Sequence, residues 1–93
     1  MDGYSSDGIK VYVEVDARFQ EDGTMIPRVI TWENGYKYKI DRVSNIRQSY
    51  AAKVGGQGDR YTVWINSRQG YLYFERNHSI IGNNIGRWFV EQR

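Results

Sequence analysis

The sequence predicts an all-β domain, a small antiparallel barrel or strongly curved sheet of five to six strands. Apolar and polar residues alternate with period two over long stretches, which places one side chain set on each face of a strand. Turn residues interrupt these stretches at short intervals, the spacing of sandwiches and barrels. Aromatic residues are abundant, with eight Tyr, three Trp and three Phe, and such residues suit pleated, half-buried surfaces. Bending or closing the sheet hides its edges, which favours a curved arrangement over a flat one.

The elements follow in order. Residues 1–8, MDGYSSDG, read as a tail rich in Gly, Ser and Asp ahead of a single domain over 9–93. In IKVYVEVDARF, Ile9, Val11, Val13, Val15, Ala17 and Phe19 fall on one side, and Lys10, Tyr12, Glu14, Asp16 and Arg18 on the other. QEDGT is a turn in which Gly23 can take positive φ. MIPRVITW is the second strand, and Pro27, lacking an N–H, suits an edge or a strand start. Asn34-Gly35 predicts a hairpin through a type I′ turn, followed by YKYKIDRV as the third strand.

Over SNIRQSYAAK the alternation fades, and a helical turn or an irregular strand end fits equally well. VGGQGD breaks the chain before RYTVWINS, a tight connection over Ser67–Gly70 leads to YLYFER, and NHSIIGNNIG reads as a loop. RWFVEQ is the sixth strand. The expected core is Val11, Val13, Val15, Phe19, Ile30, Tyr38, Ile40, Val63, Ile65, Leu72, Phe74, Phe89 and Val90.

Composition narrows the function classes. Ninety-three residues hold one core, with hydrophobic residues at 40% and charged residues at 26% in the globular range. The absence of Cys removes disulfides, thiol nucleophiles and thiolate metal sites, and fits a cytoplasmic protein. The N-terminus lacks the apolar run of a signal peptide, and no stretch of about 18 apolar residues predicts a membrane span. A net charge of +2 names no partner by itself.

Several phrases stand together: Trp32-Glu33-Asn34-Gly35, Tyr38-Lys39-Ile40-Asp41-Arg42-Val43, Gly58-Asp59-Arg60-Tyr61-Thr62-Val63, Tyr71-Leu72-Tyr73-Phe74-Glu75 and Trp88-Phe89-Val90. In this order they resemble a family of short uncharacterised bacterial proteins, from about Val13 to the C-terminus. More loosely, they are similar to the small domain associated with some Y-family DNA-repair polymerases. The resemblance implies one compact β domain and a link to DNA metabolism. It carries no established activity, so no residue role is transferred. The family pattern joins its last two strands by a tight turn, whereas His78 to Gly86 is longer.

Candidate sites are few. VGGQGDR places three glycines between Lys53 and Arg60, and a Gly-rich turn can form an anion-binding nest. It lacks the Gly-Lys-Ser/Thr ending of a phosphate loop and runs into a strand rather than a helix, so a flexible connector is the preferred reading. Tyr12, Lys37, Lys39 and Trp64 point outward from the expected core, and aromatics flanked by cations suit unpaired bases and phosphates. Glu14, Asp16, Glu33 and Asp41 interrupt any basic stripe. With a single histidine, His78, no metal site, cofactor or catalytic group is expected.

The sequence therefore predicts a non-catalytic binding module for nucleic acid or for a protein of nucleic-acid metabolism. Its contact residues are Tyr12, Lys37, Lys39, Arg42, Lys53, Arg60 and Trp64. The alternative is a structural or oligomerising domain that pairs through a sheet edge, as a homodimer or with another protein. The Pro27 strand and RWFVEQ are the candidate edges.

Overall fold

Seven antiparallel strands carry the alternating stretches in a computed structural model that describes residues 9–50, 57–82 and 84–92. They are β1 (Ile9–Phe19), β2 (Met25–Thr31), β3 (Lys37–Lys39), β4 (Arg42–Tyr50), β5 (Gln57–Ile65), β6 (Arg68–Ile81) and β7 (Asn84–Gln92). Their spatial order is β3-β2-β1-β7-β6-β5-β4. The fold is all-β and strongly curved, a half-barrel.

Two corners bend the sheet. β1 pairs with β7 over Ile9–Val13 and with β2 over Glu14–Phe19, so one strand serves two parts of the sheet. Opposite it, the Ile40 amide donates to the Arg28 carbonyl of β2 and the next amide, Asp41, donates to the Trp64 carbonyl of β5, each at 2.8 Å. The chain thus leaves β2 and joins β5 between adjacent residues. That switch splits the expected third strand into β3 and the start of β4, which is one reason for seven strands rather than five to six.

The other additions come from bulges. β4 forms a strand where alternation faded, because the register slips between Val43 and Asn45. Val43 faces Val63 and Ile46 faces Tyr61, so inward residues stand three apart and the period-two pattern is lost. β6 and β7 likewise extend through the segment expected as a loop. They meet in a tight turn at Gly82 (φ 65°), and the extra length is taken up by a register slip between Arg76 and Ile81.

Of the two expected edges RWFVEQ is not one, while β2 is covered on its second side by β3 only over Val29–Thr31, so its Pro27 end pairs with β1 alone. β7 lies between β1 and β6. Pro27 is buried in β2, opposite Ala17, next to the irregularity that leaves Arg28 without a partner on β1. A bulge tolerates a residue with no N–H.

The QEDGT turn has Gly23 at positive φ, as expected, whereas the turn at Asn34-Gly35 is built differently from expectation. QEDG and WENG use one construction: Gly23 and Gly35 donate to the carbonyls of Gln20 and Trp32, and each glycine has positive φ. The Asp22 and Asn34 side chains accept from the amides two residues on, Thr24 and Tyr36. Asn34 itself stays at negative φ, so this is a type I turn closed by a left-handed glycine rather than a type I′ turn. The paired positive φ of a type I′ turn occurs at Asn66 (51°) and Ser67 (66°) between β5 and β6.

The concave side holds Ile30, Ile40, Tyr61, Val63, Leu72, Phe74 and Trp88, with Val13, Val15, Met25, Val43, Ile65 and Val90 against them. Phe19 and Tyr38, expected in the core, are 64% and 39% exposed. Phe19 ends β1 at the open rim, and Tyr38 stacks on Tyr36 with ring centroids 6.0 Å apart. Trp88 fills the interior instead, 5.1 Å from Tyr61 and 5.0 Å from Phe74. Phe89 is buried, but on the other face, since neighbours in a strand point oppositely.

Gly58, third glycine of the VGGQGDR segment, belongs to β5. A Cβ there would lie 2.5 Å from the Phe74 carbonyl oxygen, so close backbone approach demands glycine. Residues 51–56, with Lys53 and the anion-nest reading, lie outside the described residues.

Ile40 ties the corner to the core, so Ile40→Ala is expected to cost about 2–5 kcal/mol and Ile40→Val about 0.5–1.5 kcal/mol. Urea unfolding of the two variants checks this; equal and negligible losses would show that the corner does not anchor the core.

Candidate nucleic-acid interface

β1, β7, β6, β5 and β4 form a five-stranded part whose outer face is set by alternation. Residues opposite in register share that face: Tyr12 with Phe89, Phe89 with Tyr73, Tyr73 with Arg60, and Arg60 with Arg47. On the same face, Glu75 pairs with Arg87, Thr62 with Tyr71 and Asn45, and Trp64 with Gln69 and Arg42.

Four cations lie over aromatic rings there. Arg42 sits 4.6 Å from the Trp64 ring, Arg60 4.6 Å from Tyr71, Arg87 3.9 Å from Tyr12 and Lys10 5.0 Å from Phe89. Each such contact contributes about 0.5–1 kcal/mol where exposed. Trp64 is further held by its indole N–H, which donates to Ser44 Oγ at 3.3 Å. Tyr71 is 46% exposed and Tyr12 41% exposed, so their rings border solvent.

A small apolar patch supports this surface. Phe89, only 2% exposed, stacks on Tyr73 at 4.9 Å and meets the edge of Tyr12 at 6.0 Å. Tyr73 donates its hydroxyl to Glu91 at 3.1 Å. Burial, then the neighbouring Glu91 carboxylate, pushes the Tyr73 phenol up to about 12, so it stays protonated and a donor at neutral pH.

Glu75 organises the cations at one end. Its carboxylate accepts from Lys10 Nζ at 2.6 Å and from the Tyr12 hydroxyl at 2.9 Å, with Arg87 Nη2 at 3.6 Å. Arg87 also donates to the Tyr12 hydroxyl at 3.2 Å. The Lys10 hydrogen bond, above all, holds the Glu75 carboxyl below its ordinary value. Arg42, Arg47 and Arg60, by contrast, make no ion pair among the described residues, and Arg60 Nε is buried without a hydrogen-bond partner.

Of the sequence-predicted contact residues, Tyr12, Arg42, Arg60 and Trp64 come together on this face. Lys37 and Lys39 do not. They stand on β3, beyond the corner, on rows shared with Thr31 and Glu14 and with Val29 and Asp16, a surface of mixed charge. Lys53 lies outside the described residues. Sequence reasoning missed Lys10, Arg47, Tyr71, Tyr73, Arg87 and the outward side of Phe89. The alternation of YLYFER and RWFVEQ carried the signal: Tyr71, Tyr73 and Glu75 alternate with Leu72, Phe74 and Arg76.

On the concave side the half-barrel opens into a cleft of about 460 Å³, lined by Phe19, Met25, Ile46, Tyr61, Phe74 and Ile85. Arg76 and Asp59 pair across its wall at 2.7 Å. The free edge of β4, a terminal strand of the sheet, runs beside it.

No protein-family model, curated protein or solved structure matches this chain. The functional reading rests on the geometry of the face.

Because Glu75 is lowered in the folded protein, its stabilisation is complete above the ordinary value of 4.5 and is lost as pH falls through the lowered one. Glu75→Gln is expected to cost about 1–3 kcal/mol at neutral pH. The stability curves of the two proteins should converge on acidification. Denaturant titrations at a series of pH values decide the matter, and parallel curves would contradict the role given to this carboxylate.

Proposed function

We propose that this protein is a non-catalytic module that binds single-stranded nucleic acid across the outer face of its five-stranded part. The observation that carries the reading is the gathering of Arg42/Trp64, Arg60/Tyr71 and Arg87/Tyr12 on one face. Unpaired bases stack on aromatic rings and on guanidinium planes alike, and sequence-tolerant binders combine such platforms with cations that meet the backbone. A guanidinium lying on a ring offers its outer plane to a base and keeps N–H groups for phosphate. The curvature turns the face convex, which suits a flexible strand that can follow it.

Binding of a fluorescent oligothymidylate, followed by anisotropy from low salt to about 150 mM, tests the reading. Affinity should fall as salt rises, with a log–log slope of about −0.7 per phosphate contacted. Tyr71→Ala should weaken binding by about 1–3 kcal/mol while leaving the circular dichroism spectrum unchanged. No binding at low salt would end the proposal.

A second reading draws on a different feature, the exposed Ile46 on the free edge of β4 beside the apolar cleft. That edge can accept a strand from a second copy. Light scattering over a wide concentration range should then show a dimer that Ile46→Lys abolishes; a monomer throughout would exclude this.

A further inference from the structure

We propose that Arg47 and Arg60 form a phosphate clamp on this face, a site whose ligand is the phosphodiester of the bound strand; the assignment of ligand rests on the nucleic-acid reading above. The two residues are direct partners in the β4–β5 register. Residues so placed on one face hold their Cβ atoms about 4.5–5.5 Å apart, and like charges in that arrangement repel. On one neighbouring row Asn45 and Thr62 are uncharged; on the other Gly58 stands beside Glu75, whose carboxylate is held by Lys10, Tyr12 and Arg87 instead. Across β6, Arg60 faces Tyr73, whose hydroxyl is committed to Glu91. Neither arginine has an ion pair among the described residues.

Packing fixes one half of the clamp. The Arg60 guanidinium lies on the Tyr71 ring, and its Nε is shielded from water without an acceptor. Arg47 is exposed on the last strand and can swing toward an anion. A phosphodiester carries two non-bridging oxygens and a single negative charge, so it can accept from both guanidinium groups and screen one from the other. Tyr71, beneath Arg60, would then set the adjoining base beside the clamped phosphate. The structure thus joins a charge-paired end, where Glu75 serves Lys10, Tyr12 and Arg87, to an end whose arginines have no ion pair among the described residues.

The decisive comparison uses the intact protein, Arg47→Gln and Tyr71→Ala, with oligothymidylate and inorganic pyrophosphate as separate probes. Arg47→Gln removes a repulsive charge from an exposed position, so its melting temperature without ligand should rise by about 1–5 °C. Its affinity for the oligonucleotide should nevertheless fall about tenfold, with the salt slope reduced by about one unit. Tyr71→Ala should weaken oligonucleotide binding at an unchanged slope, which separates stacking from phosphate contact. If the intact protein binds the oligonucleotide and Arg47→Gln does so with the same affinity and slope, the clamp is wrong while the nucleic-acid reading stands. Binding of pyrophosphate alone, lost in Arg47→Gln, would uphold the clamp with a free anion as ligand and discard the nucleic-acid reading. A lower melting temperature for Arg47→Gln would make Arg47 a structural residue and overturn the proposal.

Discussion

The shape of this protein depends on two consecutive amides. Ile40 donates to β2 and Asp41 to β5, so a single peptide step fastens the small three-stranded part to the larger one. The Asp41 carboxylate then accepts from the Asn66 amide at 2.9 Å, bracing the type I′ turn that starts β6. Ile40, buried among the core side chains, supplies the apolar contact that such a corner needs. With β1 bending at the opposite side, the sheet curves around one core and leaves its five-stranded outer face convex. Every pair in the candidate interface stands on that face, so its spacing follows from the corner.

Curvature also explains why aromatic residues occupy both sides. Inside, Tyr61, Phe74 and Trp88 fill a narrow concavity. Outside, Phe89 and Tyr73 stack at an angle of 7° between planes, and Phe89 also meets Lys10 and the ring of Tyr12. A long cationic side chain covers apolar surface well while keeping its head in a polar setting. Glu75 completes that arrangement by collecting Lys10, Tyr12 and Arg87 around one carboxylate. The local network is structural at this end, and it holds Tyr12 in the place from which Arg87 can lie across its ring.

Much of this was legible in the sequence because period two survives wherever a strand is regular. The alternation in IKVYVEVDARF placed Val13 and Val15 inward and Tyr12 outward, as found. It also separated Trp64 from Tyr61 and Val63. What could not be read was phase across a bulge. Val43 and Ile46 share the inner face only because the register slips at Ser44, and β6 absorbs a longer slip after Arg76. Sequence alone gives no sign of where a partner strand leaves an extra residue unpaired. Partner choice was equally hidden: RWFVEQ looked terminal and is central, because contact between β1 and β7 joins the two ends of the chain. For the site, residue types were legible and their assembly was not. Arg60 and Arg47 are thirteen positions apart in the chain, and only the β4–β5 register makes them neighbours.

That last juxtaposition bears on how the two ends of the face divide their roles. Elsewhere on the sheet cations have carboxylate partners: Lys10 and Arg87 share Glu75, and Arg76 has Asp59. Cation–π contact can hold an arginine in place, but it does not neutralise the charge, so Arg42 and Arg60 remain fully positive on their rings. Placing Arg47 opposite Arg60 adds to that positive potential at the cost of local repulsion. A fold selected for stability alone would gain from an acid at either position, since an opposite-charge pair there contributes about 0.2–1 kcal/mol. With Arg60 on the exposed Tyr71 ring and Arg47 as its register partner, the face has a polarity: its cations share Glu75 toward β1 and, among the described residues, make no ion pair toward β4.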